Sequence, residues 1–547
     1  MTATPTEAAE RFAGPMIDQL PRLLSQVDRN LHSPTYGCCC RNHWHYRIED
    51  IANAQMQELA LTLALAWKLD LPCNPYAKMP DLLDWIEGIL DFTGRIQRPS
   101  GCFDEVYRGQ DSYAATAFVT FCISETLIQL GSNLTPDVRS DALDMLNRAA
   151  GWLARTREEL AGNQIAGAAA AFMNLEKLDR GMGYAEVLDE LLDTLTTMQT
   201  GEGWFPEYGG ADIGYASLTH SYLALIAHRK KDDRARSMSA KCAGFLQHFL
   251  HRDGTAGGEY GSRNTEYLIP LGAVLDAEAN DAAARLYNFL VTHLEHEYHA
   301  IITRGLDDRY LVYLSPFYLL AAQSVVEVKP KPWPAPPRNG ATWFEEAGLW
   351  AYESPSLKLV ANLRKGGVFH LDLGDRSHVD SGYFGDIPDG QIVTTQHLDP
   401  QAEISAEGNV ARLTARLAVN KPVRVTPWKN ILVRAFNLSV PSFARRRFLD
   451  FLRMRAVSSG HVVGRVHRQI VVEDEAVEVT DFIEVTEPLV HLALQLTKER
   501  AFSFASTGFF QPQELEAEAD MIPVDLAEGK VIVKRRYTRD GMTVVPS

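Results

Sequence analysis

Basic residues are in deficit in this chain. It sets 54 Lys and Arg against 70 Asp and Glu, a formal charge of −16 over 547 residues. A nucleic-acid binder carries a basic footprint, so no nucleic-acid partner is expected. An anionic ligand would need a locally basic pocket inside a repelling overall field. The first twenty residues, Met1 to Leu20, have no basic stretch followed by an apolar one, so no signal peptide is recognised. No run of about twenty apolar residues suggests a membrane span. The seven cysteines are odd in number and include no CxxC pair. That usage fits a reducing cytoplasm, the expected location, and argues against a disulfide framework. Cys38, Cys39 and Cys40 are adjacent and cannot easily converge on one ion, even with His43 and His45 close by, so no metal is assigned there. A strict internal repeat is lacking as well.

What is present is an ordinary globular composition, 46% hydrophobic and 9% aromatic, in a chain too long for one core. From Ile51 to Val326 the apolar periodicity predicts helix after helix. The runs are Ile51–Leu69, Pro80–Phe92, Tyr113–Leu130, Asp137–Arg155, Gln164–Leu178, Tyr184–Met198, Tyr215–His228, Arg234–Leu250, Thr265–Leu275, Ala282–His296 and Leu311–Val326. Gly, Pro, Asn and Asp punctuate the gaps, as hairpins of paired helices require. Such pairs stack into a solenoid or close into a toroid. A proline-rich connector over 327–340 forbids helix. Beyond it the runs are short and β-branched: Leu357–Leu363, Val368–Leu373, Val410–Leu417, His461–Val466, Ile470–Ile483 and Val531–Tyr537. One helical interruption is predicted over Ser442–Arg455. The fold class is therefore an N-terminal (α/α) toroid of helix hairpins over 1–326, then a C-terminal antiparallel β-sandwich over 341–547.

Polar-aromatic segments sit at the helix junctions: Arg41–Arg47 (RNHWHYR), Gly101–Arg108 (GCFDEVYR), Gly203–Tyr215 (GWFPEYGGADIGY) and Gly257–Tyr267 (GGEYGSRNTEY). A helical scaffold has no need of so much Tyr, His, Arg and Asn at its loop ends. Residues presented in this way at one mouth of a helical ring suit a sugar chain.

The domain order, Lys365-Gly366-Gly367-Val368-Phe369, Asp380-Ser381-Gly382 and the two segments GCFDEVYRGQDSYAATAFVTFCISETL and GGEYGSRNTEYLIPLG resemble the heparinase II/III-like superfamily of polysaccharide lyases and related proteins of bacterial surface polysaccharide. The resemblance implies β-elimination at a uronic acid residue of an acidic polysaccharide or oligosaccharide. An Asn neutralises the sugar carboxylate, a Tyr or His takes the C5 proton, and a Tyr protonates the leaving oxygen. Asn163 matches that Asn, with Gln164 where such proteins often have His. Tyr215 matches the tyrosine after the Gly-rich segment. Some relatives carry a structural metal in the sandwich, for which His370, His378, Asp380 and His397 are the residues to inspect; no cofactor is otherwise expected.

The chemistry fits these residue types. Taking a proton beside a carboxylate builds negative charge next to an existing one, and an amide or guanidinium stabilises it. A tyrosine base needs a nearby cation. The catalytic candidates are Asn163, Tyr215, His220 and Tyr260. Arg263, Asn264, Glu259, Glu207, Trp44, His45, Tyr46 and Tyr107 are substrate-binding candidates. Each has a structural alternative: Asn163 as a helix cap, Tyr215 and His220 as core residues, Arg263 in a salt bridge with Glu259 or Glu266, Trp44 as an anchor for the first helix. A uronyl C5-epimerase uses the same proton abstraction. A glycoside hydrolase would rest on Asp104, Glu105 and Glu207, and a non-catalytic glycan-binding protein would keep only the fold.

Overall fold

The computed structural model describes residues 4–179, 183–294, 306–325, 340–420, 426–440, 460–497, 519–525 and 529–545. Its helical half comprises α1 (Pro5–Asp18), α2 (Leu20–Leu24), α3 (Arg41–Trp44), α4 (Leu59–Lys68), α5 (Pro80–Ile96), α6 (Tyr113–Leu130) and α7 (Pro136–Ala154). It continues with α8 (Gly162–Leu178), α9 (Tyr184–Met198), α10 (Ile213–Lys230), α11 (Asp233–Leu246), α12 (Leu271–Asp276), α13 (Asp281–His293) and α14 (Asp308–Ser324). The even-numbered helices from α4 to α14 pack each on the next, and α14 packs back on α4, which closes a ring. Helices α5, α7, α9, α11 and α13 cover this ring from outside, and α1 covers α14.

The two layers differ in sequence as their positions require. Inner helices α6 and α8 are buried almost all round, so they are apolar on every face. By length and composition alone Tyr113–Asn133 would cross a membrane, yet 72% of its apolar window is buried within the ring. The outer helices α5, α7 and α9 bury one stripe and expose the other. Two details depart from the sequence reading. Helix α1 precedes the expected start of the helical array. The helix expected over Thr265–Leu275 begins only at Leu271, because the preceding segment hydrogen-bonds to α10 instead, Ile269 N donating to Ser217 Oγ at 2.9 Å.

The second half is antiparallel throughout, with strands β1 (Gly340–Phe344), β2 (Leu349–Glu353), β3 (Leu357–Asn362), β4 (Val368–Leu373), β5 (Arg376–Asp386), β6 (Ile392–Thr394), β7 (Ile404–Glu407) and β8 (Val410–Val419). After helix α15 (Pro427–Ser439) come β9 (Val462–Val472), β10 (Val477–Val485), β11 (His491–Thr497), β12 (Ala519–Pro523), β13 (Lys530–Thr538) and β14 (Gly541–Val545). The order is β1-β2-β3-β4-β5-β6-β8-β9-β10-β13-β14, with β11 on β5, β12 on β11 and β7 on β8. The run Ile470–Ile483 is two strands, turned where Glu473 N donates to Ala476 O at 2.8 Å. The proline-rich connector and the helix expected over Ser442–Arg455 lie outside the described residues; α15 precedes the latter.

The sheet curls until β5 faces β9, β10 and β13, and a fully buried ionic cluster fills the gap. Arg468 donates to Asp481 Oδ1 at 2.8 Å and to Asp380 Oδ1 at 3.2 Å, and Arg535 bonds both carboxylates. Tyr383 Oη donates to Asp481 at 2.7 Å and Tyr537 Oη to Asp380 at 3.2 Å. Burial alone would raise the Asp481 carboxyl, but Arg468 and Arg535 overcome it and hold it at about 2.

The halves meet at several places, among them Arg252 N on Asp372 Oδ2 at 2.7 Å and Arg285 on Glu353 at 3.3 Å, and a further joint is made at one buried loop. Lys365, in the β3–β4 turn, is fully buried, and its Nζ donates to Glu259 O at 2.7 Å, to Gly261 O at 2.8 Å and to Asn264 Oδ1. Asn362 Nδ2 adds a bond to Tyr260 O at 2.7 Å. Burial pulls the Lys365 ammonium down to about 7, against the opposing pull of Asp212 and Glu259. The turn behind it needs glycine: a Cβ on Gly366, at φ +69, would stand 2.2 Å from Thr395 O.

Two outcomes follow. Asp481→Asn leaves two buried guanidiniums short of charge and should cost about 3–5 kcal/mol in denaturant unfolding. Because the folded Asp481 titrates below its ordinary 3.8, its contribution is fully present above that pH and lost as pH falls through about 2, so the gap between parent and variant should close there. Lys365→Met strands three buried acceptors, each worth about 1–3 kcal/mol. It should raise amide hydrogen exchange over residues 257–266 while α6 stays protected; unchanged exchange in the loop would contradict the latch.

Candidate functional site

One mouth of the ring opens into a cavity of about 570 Å³. The residues lining it come from the start of every inner helix: Gln55 and Glu58 before α4, Phe118 on α6, Asn163 and Gln164 on α8, Tyr215 and Tyr222 on α10, Tyr267 before α12, and Arg309, Tyr310 and Tyr313 on α14. Helix N-termini favour negative charge. Here the caps Asp212 and Asp307 satisfy part of that preference themselves, accepting from Tyr215 N at 3.3 Å and from Tyr310 N at 2.7 Å.

Asp212 also sets two loops against each other. Thr265 Oγ1 donates to the same Oδ1 that caps Tyr215 N, and the other oxygen, Oδ2, takes Arg263 N at 2.9 Å. One buried carboxylate thus fixes the start of α10, with Tyr215, relative to the loop that carries Arg263. The Arg263 guanidinium carbon lies 5.3 Å from the centroid of the Tyr208 ring. Asn163 Nδ2 donates to Glu207 Oε2. Burial, reinforced by Asp212, raises Glu207 well above the carboxylate range, although Arg263 and Asn163 pull the other way. Burial thus favours the protonated form of Glu207, which can donate a hydrogen bond. Tyr215 Oη and Tyr310 Oη are 3.0 Å apart, and Arg309 Nε donates to Tyr313 Oη at 2.5 Å.

The cavity collects Asn163, Tyr215, Arg263 and Glu207 from the sequence-derived set. The other candidates lie elsewhere. His220 is turned away: five residues past Tyr215 is roughly 140° around a helix of 3.6 residues per turn. It is buried against Gly272, with Nε2 3.3 Å from Asp276 Oδ2. Tyr260 is buried in the joint between the halves, its hydroxyl 2.8 Å from His251 Nε2. Asn264 accepts from Lys365, and Glu259 is buried behind the loop with no hydrogen-bond partner for its carboxylate among the described residues. Trp44 anchors its turn through Nε1 to Gln26 O at 2.7 Å, while His45 and Tyr46 are exposed. Tyr107 is half-buried and does not line the cavity. Asp104 staples its own loop by accepting from Gly109 N at 2.7 Å and Asp111 N at 2.9 Å.

The residues that sequence reading missed are Gln55, Glu58, Tyr208, Tyr267, Arg309, Tyr310 and Tyr313. A signal existed for the last three, since Asp307-Asp308-Arg309-Tyr310 repeats the polar-aromatic pattern of the other helix starts.

Of the inspected metal positions, His378 is half-buried on β5 against the Tyr537 ring, its Nε2 without a hydrogen-bond partner among the described residues, and the other three are held by protein partners. Asp380 is bonded by both buried arginines, and His397 Nε2 is 3.2 Å from Ala418 O. His370 sits in strand β4 and bonds Asp372 at 2.8 Å. Asp380 sits in strand β5. Among the described residues one group has ligand atoms close enough for an ion: His251, Asp253 and His370. The two imidazoles are stacked at 3.8 Å and 8°, so their in-plane lone pairs run side by side and do not converge on a point. That arrangement does not fit a metal.

No protein-family profile and no curated protein sequence matches the chain. Solved structures do. The chondroitin AC lyase of Streptomyces coelicolor A3, determined with chondroitin sulphate, has a TM-score of 0.55 at 11% identity, over 89% of this chain and 68% of that one. A Paenibacillus xanthan lyase has a TM-score of 0.53 at 10% identity, over 99% of this chain and 53% of that one. At such identities the likeness is one of fold. The chain has the helical-ring-plus-sandwich fold of these polysaccharide lyases.

Proposed function

We propose that the protein is a lyase-like enzyme that removes the C5 proton of a uronic acid unit in an acidic polysaccharide or oligosaccharide. The observation that carries this reading is the meeting of Asn163, Glu207, Arg263 and Tyr215 in one cavity of the ring. The substrate carboxylate lies between the Asn163 amide, the neutral Glu207 carboxyl and the Arg263 guanidinium, which together stabilise the charge that develops on it. Tyr215, as phenolate, takes the C5 proton. Tyr310 donates to that phenolate, and the cations Arg263 and Arg309 line the same cavity. The electron pair forms the C4–C5 double bond, the C4–O bond breaks, and the leaving oxygen takes a proton from the Tyr215 phenol. Hydrolysis by paired carboxyls is less well supported, because Glu58 and Glu207 are both held protonated and Glu105 is bound to Arg309.

The test is the ultraviolet absorbance of an unsaturated uronate on incubation with a panel of oligouronates. Wild type should develop it. Tyr215→Phe should lose about 10²–10⁴ in rate with substrate binding kept, and Arg263→Ala should weaken binding. Full activity of Tyr215→Phe would overturn the assignment, and C5 exchange without cleavage would make the protein an epimerase.

A further inference from the structure

Across the cavity from Arg263 lies a second polar wall, and its chemistry is unlike the first. Glu58 lines the cavity from the turn before α4, is 3% exposed, and its Oε1 has no hydrogen-bond partner among the described residues. An orphaned oxygen on a buried side chain is costly unless something binds it. Beside it, Gln55 Oε1 accepts from Tyr313 Oη at 3.1 Å and from Arg309 Nη2 at 3.3 Å. Arg309 in turn bonds Glu105, so its guanidinium is already matched by a carboxylate. Asp307 lines the same side. Burial, with Glu105 adding to it, raises Glu58 far above the carboxylate range in spite of Arg309, which makes it a neutral acid offering one donor and one acceptor. With Arg309 matched by Glu105 and with the carboxyls of Glu58 and Asp307 also lining the cavity, the described residues of this wall leave no unmatched cation to attract an anion. On the Arg263 side Glu207 is neutral and the guanidinium is the charge that faces the cavity.

We propose that the Glu58 wall is a separate subsite for an uncharged, hydroxyl-bearing sugar unit adjoining the acidic unit, and that it rejects a sulfated or carboxylated unit at that place. The proposal rests on the acid-sugar reading of the Arg263 side. It makes the cavity two-faced: one wall takes a carboxylate, and the other exchanges hydrogen bonds with hydroxyls through Glu58, Gln55 and Tyr313. Glu58 contributes to specificity here and takes no part in the proton transfers.

Isothermal calorimetry with three tetrasaccharides tests it: a homo-oligouronate, an alternating chain of uronate and unsulfated amino sugar, and the same chain with sulfated amino sugar. Wild type should bind the unsulfated alternating chain about tenfold tighter than either of the others, the equivalent of one good hydrogen bond. Glu58→Leu, which removes the hydrogen bonds to hydroxyls, should weaken binding of the unsulfated alternating chain about tenfold and weaken homo-oligouronate binding less, which shrinks that preference. Glu58→Gln, which keeps a neutral donor and acceptor, should retain it. Equal affinity for the three chains, or a Glu58→Leu loss shared equally by all of them, overturns the subsite while leaving the acid-sugar reading standing. Failure of every oligouronate to bind, or binding of all three untouched by Arg263→Ala, overturns that reading and the subsite with it.

Discussion

One buried lysine side chain ties the sandwich to the loop of the ring on which the proposed chemistry depends for position. Lys365 comes from a turn of the sandwich, yet all three of its hydrogen-bond acceptors belong to the loop of the ring that ends in Arg263 and Asn264. Three acceptors match the three hydrogens of an ammonium, so the loop has one conformation that satisfies it. The same loop is held from its other side by Asp212, which also caps the helix bearing Tyr215. Arg263 and Tyr215 therefore share a rigid reference although they are far apart in sequence. A sandwich with none of its described residues lining the cavity still holds the loop that carries Arg263.

Neutral carboxyls are the second constraint. Glu58 and Glu207 are both driven out of the ionised state by burial, the first without a hydrogen-bonded cation and the second in spite of Arg263. In a chain carrying sixteen excess negative charges, a site for an acidic sugar must suppress its own local charge. Protonated carboxyls do this and keep the hydrogen-bonding capacity that apolar substitutes would lose. The wall with Arg263 is then net positive, while the wall with Glu105 and Asp307 is not.

Much of this was legible in the sequence, and the failures have physical reasons. Helix boundaries such as Tyr113–Leu130 and Tyr184–Met198 follow from periodicity and Gly or Pro punctuation and agree with the structure. The change to strands after the proline-rich stretch was equally plain. Asn163 and Tyr215 were named because they match the Asn and the Tyr that the family resemblance implies, and the structure places each in the first turn of an inner helix. His220 was misplaced because it is one and a half turns further on, where the helix faces its neighbour. Tyr260, Asn264 and Glu259 share a loop with Arg263 but point toward the sandwich, a partner that no local pattern announces. Glu58 was hidden in an apolar run that reads as pure core. Its exposure to the cavity depends on ring closure between α14 and α4, a contact between the two ends of the helical half.

The most direct test of the two-walled acid-sugar cavity is a crystal structure of the Tyr215→Phe variant with an oligosaccharide containing an internal uronate. The account predicts the uronate carboxylate within hydrogen-bond distance of Asn163 Nδ2 and the Arg263 guanidinium, with C5 facing the ring of residue 215. A carboxylate bound at Arg309, or a sugar chain lying outside the cavity altogether, would contradict it.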